Sequence, residues 1–223
     1  APSPDDALFE EISLRYSVLN PPMFASALFE DGITNGSAWF SITGGMQDWN
    51  YRYAGCFEVT LELSNIKRPA ASTLPQLWED NRESMLAYLA SVHMGVRGLV
   101  RNRATDAPVY AEVTVVGNEQ SVFTDPDVGD YHRLLLPGRY WLRVNAPGYI
   151  EYRGRVTVTE DETARLDAPL STGDVDGDGD VDVTDVQRVI DAILSRTVCD
   201  CEVDGEGLSA TDIQAVVNRA LQR

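Results

Sequence analysis

The chain has 223 residues, with 35 Asp and Glu against 18 Lys and Arg, a net charge of −17 and ordinary apolar content. That length allows one large domain or two to three small ones. The charge disfavours nucleic acid, because no basic stripe is present to neutralise phosphates, and no apolar run approaches the roughly 20 residues that span a bilayer.

The opening, APSPDDALFEE, has neither Met nor a charged-then-apolar leader, so the chain is expected to be processed or to be a piece of something longer. Residues 5–17 predict an amphipathic helix with Leu8, Ile12 and Tyr16 on one side, stopped by the prolines of NPPM. Residues 31–55, rich in Gly and aromatics, predict a long ordered loop of the kind that often carries function. CFEVTLEL, residues 56–63, alternates as a strand, with Phe57, Val59, Leu61 and Leu63 on one face and Glu58, Thr60 and Glu62 on the other. From these residues alone, Glu62 reads as an ion-paired strand residue. The following segment predicts a helix with Thr73 near its start, Pro75 in its first turn, a buried stripe of Trp78, Met85, Leu89 and Val92, and Gly95 at its end.

From Val96 to about Leu170 the period changes to two. PVYAEVTVVG, YHRLLLPGRYWLRVNAPGY and YRGRVTVTE alternate between turn signals such as RATDAP and DPDVGD, which predicts a β-sandwich. STGD at 171–174 marks the next boundary. Residues 171–223 hold 12 Asp and Glu against 4 Arg, a density that suggests cation binding before solubility alone. This segment also repeats: TDVQRVIDAIL at 184–194 matches TDIQAVVNRAL at 211–221, an offset of 27. Each copy carries an apolar stripe, so the two helices are expected to pack on each other and little else. The cysteines are Cys56, Cys199 and Cys201; an odd count completes no disulfide framework, and the last two are expected to lie too close in sequence for an easy bridge.

Before the first of these helices stands DVDGDGDVDVTD, residues 174–185, of the form D-x-D-x-D-G-x-x-D-x-x-D. A hard cation with about seven oxygen ligands needs this spacing. Asp174, Asp176 and Asp178 offer side-chain oxygens from one turn, and Gly179 allows the bend. Asp180 would give its backbone carbonyl, Asp182 would act directly or through water, and Asp185 would close the site from the helix start. The second copy, EVDGEGLSATD at 202–212, is one residue short. Glu202, Asp204, Glu206 and Asp212 are expected to bind calcium there more weakly. Two such loops, each followed but not preceded by a helix, resemble the type I dockerin family over residues 173–223. The resemblance implies calcium-dependent folding and docking onto a cohesin-like or cell-surface partner.

Residues 1–170 resemble the carboxypeptidase N/E/D/M branch of the zinc carboxypeptidases. PDDALFEEISLRYS, DGITNGSAWFSITGGMQDWNYRYAGCFEVTLEL and LWEDNRESMLAYLASVHMGVRGLV look like the C-terminal part of its catalytic domain, and GDYHRLLLPGRYWLRVNAPGY like the transthyretin-like sandwich that follows. The resemblance places Glu62 on the family's general base, which takes a proton from a zinc-bound water. It places Gln47 and Thr60 at the pocket for the substrate's terminal side chain, Lys or Arg in this branch. Phe40 falls where the family has a tyrosine, so the ring is kept and a hydrogen bond of about 0.5–1.5 kcal/mol is lost.

The family's zinc ligands, an H-x-x-E pair and a further His, have no counterpart here. The chain's histidines are His93 and His132, and neither matches a ligand. The expected fold class is thus multidomain: a partial α/β carboxypeptidase domain over 1–94, an all-β transthyretin-like sandwich over 95–170 and a small all-α calcium-loop helix pair over 171–223. The expected function is the C-terminal portion of a secreted zinc metallocarboxypeptidase acting on peptide C-termini, with zinc held upstream and calcium in the tail. The alternative is a non-catalytic, calcium-dependent adhesion or scaffold-binding protein with a vestigial peptidase segment.

Overall fold

The structure, a computed structural model, describes residues 3–160, 162–197 and 199–222. It divides into two compact units, Ala1–Met94 and Gly95–Arg223.

The first unit is helical: α1 (Asp6–Ser17), α2 (Pro21–Phe24), α3 (Gly36–Trp39), α4 (Met46–Ala54) and α5 (Leu74–Ala90). In α1, Leu8, Ile12 and Tyr16 are buried, as their spacing predicts. Residues 31–55, expected to be loop, contain two helices. The second of them, α4, ends where Gly55 adopts φ 65°, a left-handed cap that a residue with a Cβ disfavours. Residues 56–63, expected to be a strand, form no ladder, and the described residues of this unit contain no strand at all. An extended segment becomes a strand only when a neighbour takes up its N–H and C=O groups, and none lies beside it. The α/β expectation for 1–94 is corrected accordingly.

The helix α5 buries a face offset from its expected stripe. Trp78 and Leu89 are exposed, as is Val92 in the turn that follows, and Met85 is half-buried, whereas Asn81 and Ser84 are buried. A polar network sets this orientation. Asn81 Oδ1 accepts from Tyr16 Oη at 2.8 Å and from Asn20 Nδ2 at 2.9 Å, while Asn81 Nδ2 donates to the Leu77 carbonyl at 2.7 Å. The small Ser84 lets the helices approach, and ring contacts between Tyr16 and Tyr88 continue the seam.

The second unit begins with a sandwich. In one sheet, β1 (Val96–Asn102) pairs antiparallel with β4 (Asp130–Arg133) and parallel with β7 (Ala164–Arg165) and β8 (Ala168–Leu170). The other has the order β3 (Ser121–Phe123), β2 (Glu112–Val115), β5 (Gly138–Asn145), β6 (Tyr152–Val158), antiparallel throughout. Inward residues of both sheets, among them Val96, Val100, Val113, Leu142, Val144 and Leu170, form one core. Gly98 is required here, since any Cβ would stand 1.8 Å from the Leu166 carbonyl oxygen.

The same unit contains α6 (Val183–Ile193) and α7 (Ala210–Ala220). They share a core of Val189, Ala192, Val203 and Val216, which also takes in Ile150 from the sandwich. The helix pair is therefore not packed on itself alone: Ile150 N donates to the Ser171 carbonyl at 2.8 Å as well. Cys199 and Cys201, expected not to bridge, form a disulfide, with Cα atoms 5.3 Å apart, within the span such a bond needs.

Two outcomes follow from this packing. Asn81→Ala would leave the Tyr16 hydroxyl and the Asn20 amide buried without their acceptor, at about 2–4 kcal/mol in total; urea unfolding of the first unit should show it. Tyr131 is buried and donates to the Leu166 carbonyl at 2.7 Å. Burial first, then the Asp167 charge, hold its phenol far above the ordinary value of 10.0. The unfolded phenol ionises first, so stability present below pH 10 falls as pH rises past it, by up to about 1.4 kcal/mol per pH unit. Tyr131→Phe should make that alkaline loss shallower in denaturation curves at pH 9–11.

Candidate functional site

The first unit holds a cavity of about 600 Å³ beside α4, lined by Met46, Gln47, Phe57, Glu58, Thr60 and Tyr88 among others. Gln47, in the first turn of α4, donates through Nε2 to Thr60 Oγ1 at 2.9 Å. The two residues expected at a substrate pocket therefore meet at one wall. Asn50 Nδ2 donates to Glu58 Oε1, which fixes that carboxylate in the lining. The Tyr88 hydroxyl donates to the Phe57 carbonyl. Burial, and then the Glu58 charge, raise its pKa.

Phe40 and Glu62 stand apart from this cavity. Phe40 is exposed and sets its ring against Trp39, 5.0 Å away at 69°. Glu62 is exposed. No partner for its carboxylate, arginine included, occurs among the described residues, so the ion-paired reading of this residue does not hold. The structure thus joins Gln47 with Thr60 and leaves Phe40 and Glu62 outside. Glu58 and Tyr88 are cavity residues that the sequence does not single out as a group, and Asn50 holds Glu58 from outside the lining. The i, i+2 alternation that put Glu58 and Thr60 on one face was the available signal.

The second unit carries two carboxylate clusters. In the first, one oxygen from each of Asp174, Asp176 and Asp185 lies within 4.8 Å of the others. Asp185 is buried and does double duty. Its Oδ2 accepts from Asp182 N at 2.8 Å, closing a capping box at the head of α6. Its Oδ1 accepts from Val175 N at 2.6 Å and Asp176 N at 3.1 Å. Asp174 accepts from the amides of Gly177 and Gly179 at 2.7 and 3.0 Å. Removal from water, and then the charges of Asp178 and Asp185, hold the Asp176 carboxyl above its usual value. Asp178 and Asp180 lie outside the cluster, and Asp182 spends a carboxylate oxygen on Thr184 N at 2.7 Å. All-oxygen donors on a glycine-bent loop suit a hard cation such as calcium.

The second cluster is Glu202, Asp204 and Asp212, without Glu206. Asp212 repeats the role of Asp185: it is buried, boxes the head of α7 with Ser209, and accepts from Val203 N at 2.7 Å. Here, however, Arg103 from the turn after β1 reaches in. Its Nη2 lies 2.9 Å from Glu202 Oε2, and its Nη1 lies 3.0 Å from Asp200 Oδ1 and also donates to the Glu202 carbonyl. Arg103 was read only as part of a turn signal, since nothing in its neighbours foretells a partner about a hundred residues away.

Zinc fits neither cluster. His93 and His132 belong to none of the described groups that could hold a metal, and His132 faces Asp130 at 3.7 Å. No chemical step through zinc can be built from these residues.

Comparison with known proteins bears on the same segments. Residues 1–84 match the zinc carboxypeptidase family, and residues 95–171 the carboxypeptidase regulatory-like domain. Carboxypeptidase D of Homo sapiens is 39% identical over 188 residues, which cover 80% of this chain and 14% of that protein. The carboxypeptidase N catalytic chain of Homo sapiens is 43% identical over 161 residues, covering 70% of this chain and 35% of that one. The match therefore spans about a seventh to a third of these relatives. A chain from a type II cohesin–X-dockerin complex of Acetivibrio cellulolyticus is 20% identical over 56% of this chain and 93% of that one, with a TM-score of 0.29; at that score the likeness carries no weight. The family matches and the relatives support a metallocarboxypeptidase affiliation for residues 1–171.

Proposed function

We propose that this chain is a portion of a secreted zinc metallocarboxypeptidase that removes C-terminal residues, Lys or Arg by preference, from peptides. The identity to carboxypeptidases D and N over the first two segments carries this reading. In it, Glu62 is the general base that takes a proton from the water attacking the terminal peptide carbonyl. Its exposed, unpaired carboxylate supports that role, because a base locked in an ion pair would have to give up its partner first. Gln47 and Thr60 line the pocket for the departing residue's side chain, and Phe40 takes the place of the family's tyrosine that bonds the substrate backbone. The zinc ligands would come from chain outside this sequence. The exposed Trp78, Leu89 and Val92 of the first unit suit burial against such a segment.

Residues 171–223 are proposed to take calcium at Asp174, Asp176 and Asp185, with Asp178, Asp180 and Asp182 completing the shell. They would act as a docking module of dockerin type for a cohesin-like or cell-surface partner. A second reading, a non-catalytic calcium-dependent adhesion or scaffold-binding protein, draws on one observation: the described residues offer carboxylate clusters but no histidine-bearing zinc set.

Two experiments decide between these readings. Joined to an upstream peptidase segment bearing H-x-x-E, the chain should release C-terminal Lys or Arg. Glu62→Gln should then lower kcat by about 10²–10⁴-fold; an equally active variant removes Glu62 from the chemistry, and a joined protein that cleaves nothing favours the non-catalytic reading. Separately, calorimetric titration of the chain should show calcium uptake that Asp174→Asn with Asp176→Asn abolishes. No uptake at about millimolar calcium, where the weaker extracellular modules still bind, would remove the docking reading.

A further inference from the structure

The two tail loops are copies in sequence but not in their surroundings. Asp174 opens the first and Glu202 the second; Gly177 and Gly205 follow at matching places. A Cβ at Gly177 would meet nothing within 4 Å. A Cβ at Gly205 would strike the Tyr152 ring at 2.4 Å and the Arg153 carbonyl oxygen at 2.5 Å. The second loop is therefore pressed against β6, the last strand of its sheet. Arg153 N donates to the Asp204 carbonyl at 2.7 Å, which covers an amide on an otherwise open sheet edge. Both Glu202 side-chain oxygens are engaged, Oε1 by the Gly205 amide and Oε2 by Arg103. The corresponding Asp174 is held only by amides of its own loop.

We infer that Arg103 takes the place of a second calcium ion, and that the second loop is a built-in joint fastening the tail to the sandwich. A guanidinium is always charged, and its fork matches the carboxylates of Asp200 and Glu202. Its side chain is only 19% exposed and that of Glu202 23%, so solvent screens the pair less than a surface bridge. A divalent cation entering here would have to displace that fork and face its positive charge. The missing residue after Gly207, which shortens the loop to 11, fits the same picture: the loop is shaped to lie on β6 and not to wrap an ion. The tail thus takes one calcium, in the first loop, and the sandwich supplies the second cation itself.

Hydrogen exchange on the whole chain, with EDTA and with calcium, tests this. In EDTA the amides of Arg153 and of residues 203–205 should stay protected, while those of 175–179, held only by carboxylates of their own loop, exchange faster. Calcium should slow 175–179 by at least about tenfold and change 203–205 by less than about twofold. Arg103→Ala should cost 203–205 at least about tenfold in protection in either buffer, leaving the calcium response of 175–179 in place. Glu202→Gln reads the same contact from the other side should Arg103→Ala not fold. The inference is overturned if calcium protects 203–205 as steeply as 175–179, or if neither variant alters 203–205. Its count of one calcium rests on the calcium reading of the first loop, and an absence of slowing at 175–179 by calcium would overturn that count together with the docking proposal; the joint is read separately, from the loss of protection at 203–205 in Arg103→Ala.

Discussion

Each tail helix begins with a carboxylate buried at its head, and the shape of the second unit's last third depends on that placement. Asp185 and Asp212 are 1% and 0% exposed. A bare carboxylate at such depth would cost several kcal/mol. Here each is wrapped by amide donors: one oxygen caps its helix, and the other draws in the backbone of the loop before it, Val175 and Asp176 for the first and Val203 for the second. The same two atoms therefore stop the helix from fraying and bend the loop around a point. In the first loop, that point is where Asp174 and Asp176 also converge, and like charges brought so close call for a cation. Local capping thus gathers three carboxylates at one point.

The surroundings of the cluster differ between the copies, and the difference comes from the sandwich. The β1–β2 turn carries Arg103 and the edge of β6 offers the Arg153 amide, and both meet the second loop. Ile150, from the turn before β6, enters the helix-pair core. Three kinds of contact, an ion pair, a backbone hydrogen bond and apolar burial, thus join the sandwich to one end of the tail. Duplicated sequence with an offset of 27 suggests a symmetric module; its neighbour removes the symmetry.

Local signals made the sandwich and tail legible from sequence. Alternation gave the strands, the acid-glycine spacing the loop, and the repeated apolar stripe α6 and α7. What escaped reading was contact between distant segments. Arg103 sits in a turn whose composition says only that the chain reverses, and Ile150 in one that says the same. The disulfide between Cys199 and Cys201 was missed because sequence separation is a poor guide to Cα distance where the chain bends. In the candidate site, the family resemblance names Thr60 and Gln47 together and the structure shows them hydrogen-bonded, whereas the alternation of 56–63 implies a strand that does not form, because a strand is a property of two segments and the sequence describes one.

The first unit shows the same dependence more sharply. Its α5 buries Asn81 and Ser84 against α1 and turns Trp78 and Leu89 outward, with Val92 exposed just beyond its end. The periodic apolar stripe is present, but only Met85 of it is partly covered by described residues of the unit. Likewise, among the described residues, 56–63 keeps the pattern of a strand without a ladder, and Glu62 keeps a carboxylate without a partner. Three separate features, a helix face, an extended backbone and an acid, are thus without a counterpart among the described residues. In the proposed reading one neighbouring segment would serve all three: side chains for the stripe, N–H and C=O groups for the strand, and a reacting water within reach of the acid. That shared deficit ties the catalytic reading of Glu62 to the fold, since pairing 56–63 as a strand would be the step that fixes where its carboxylate points.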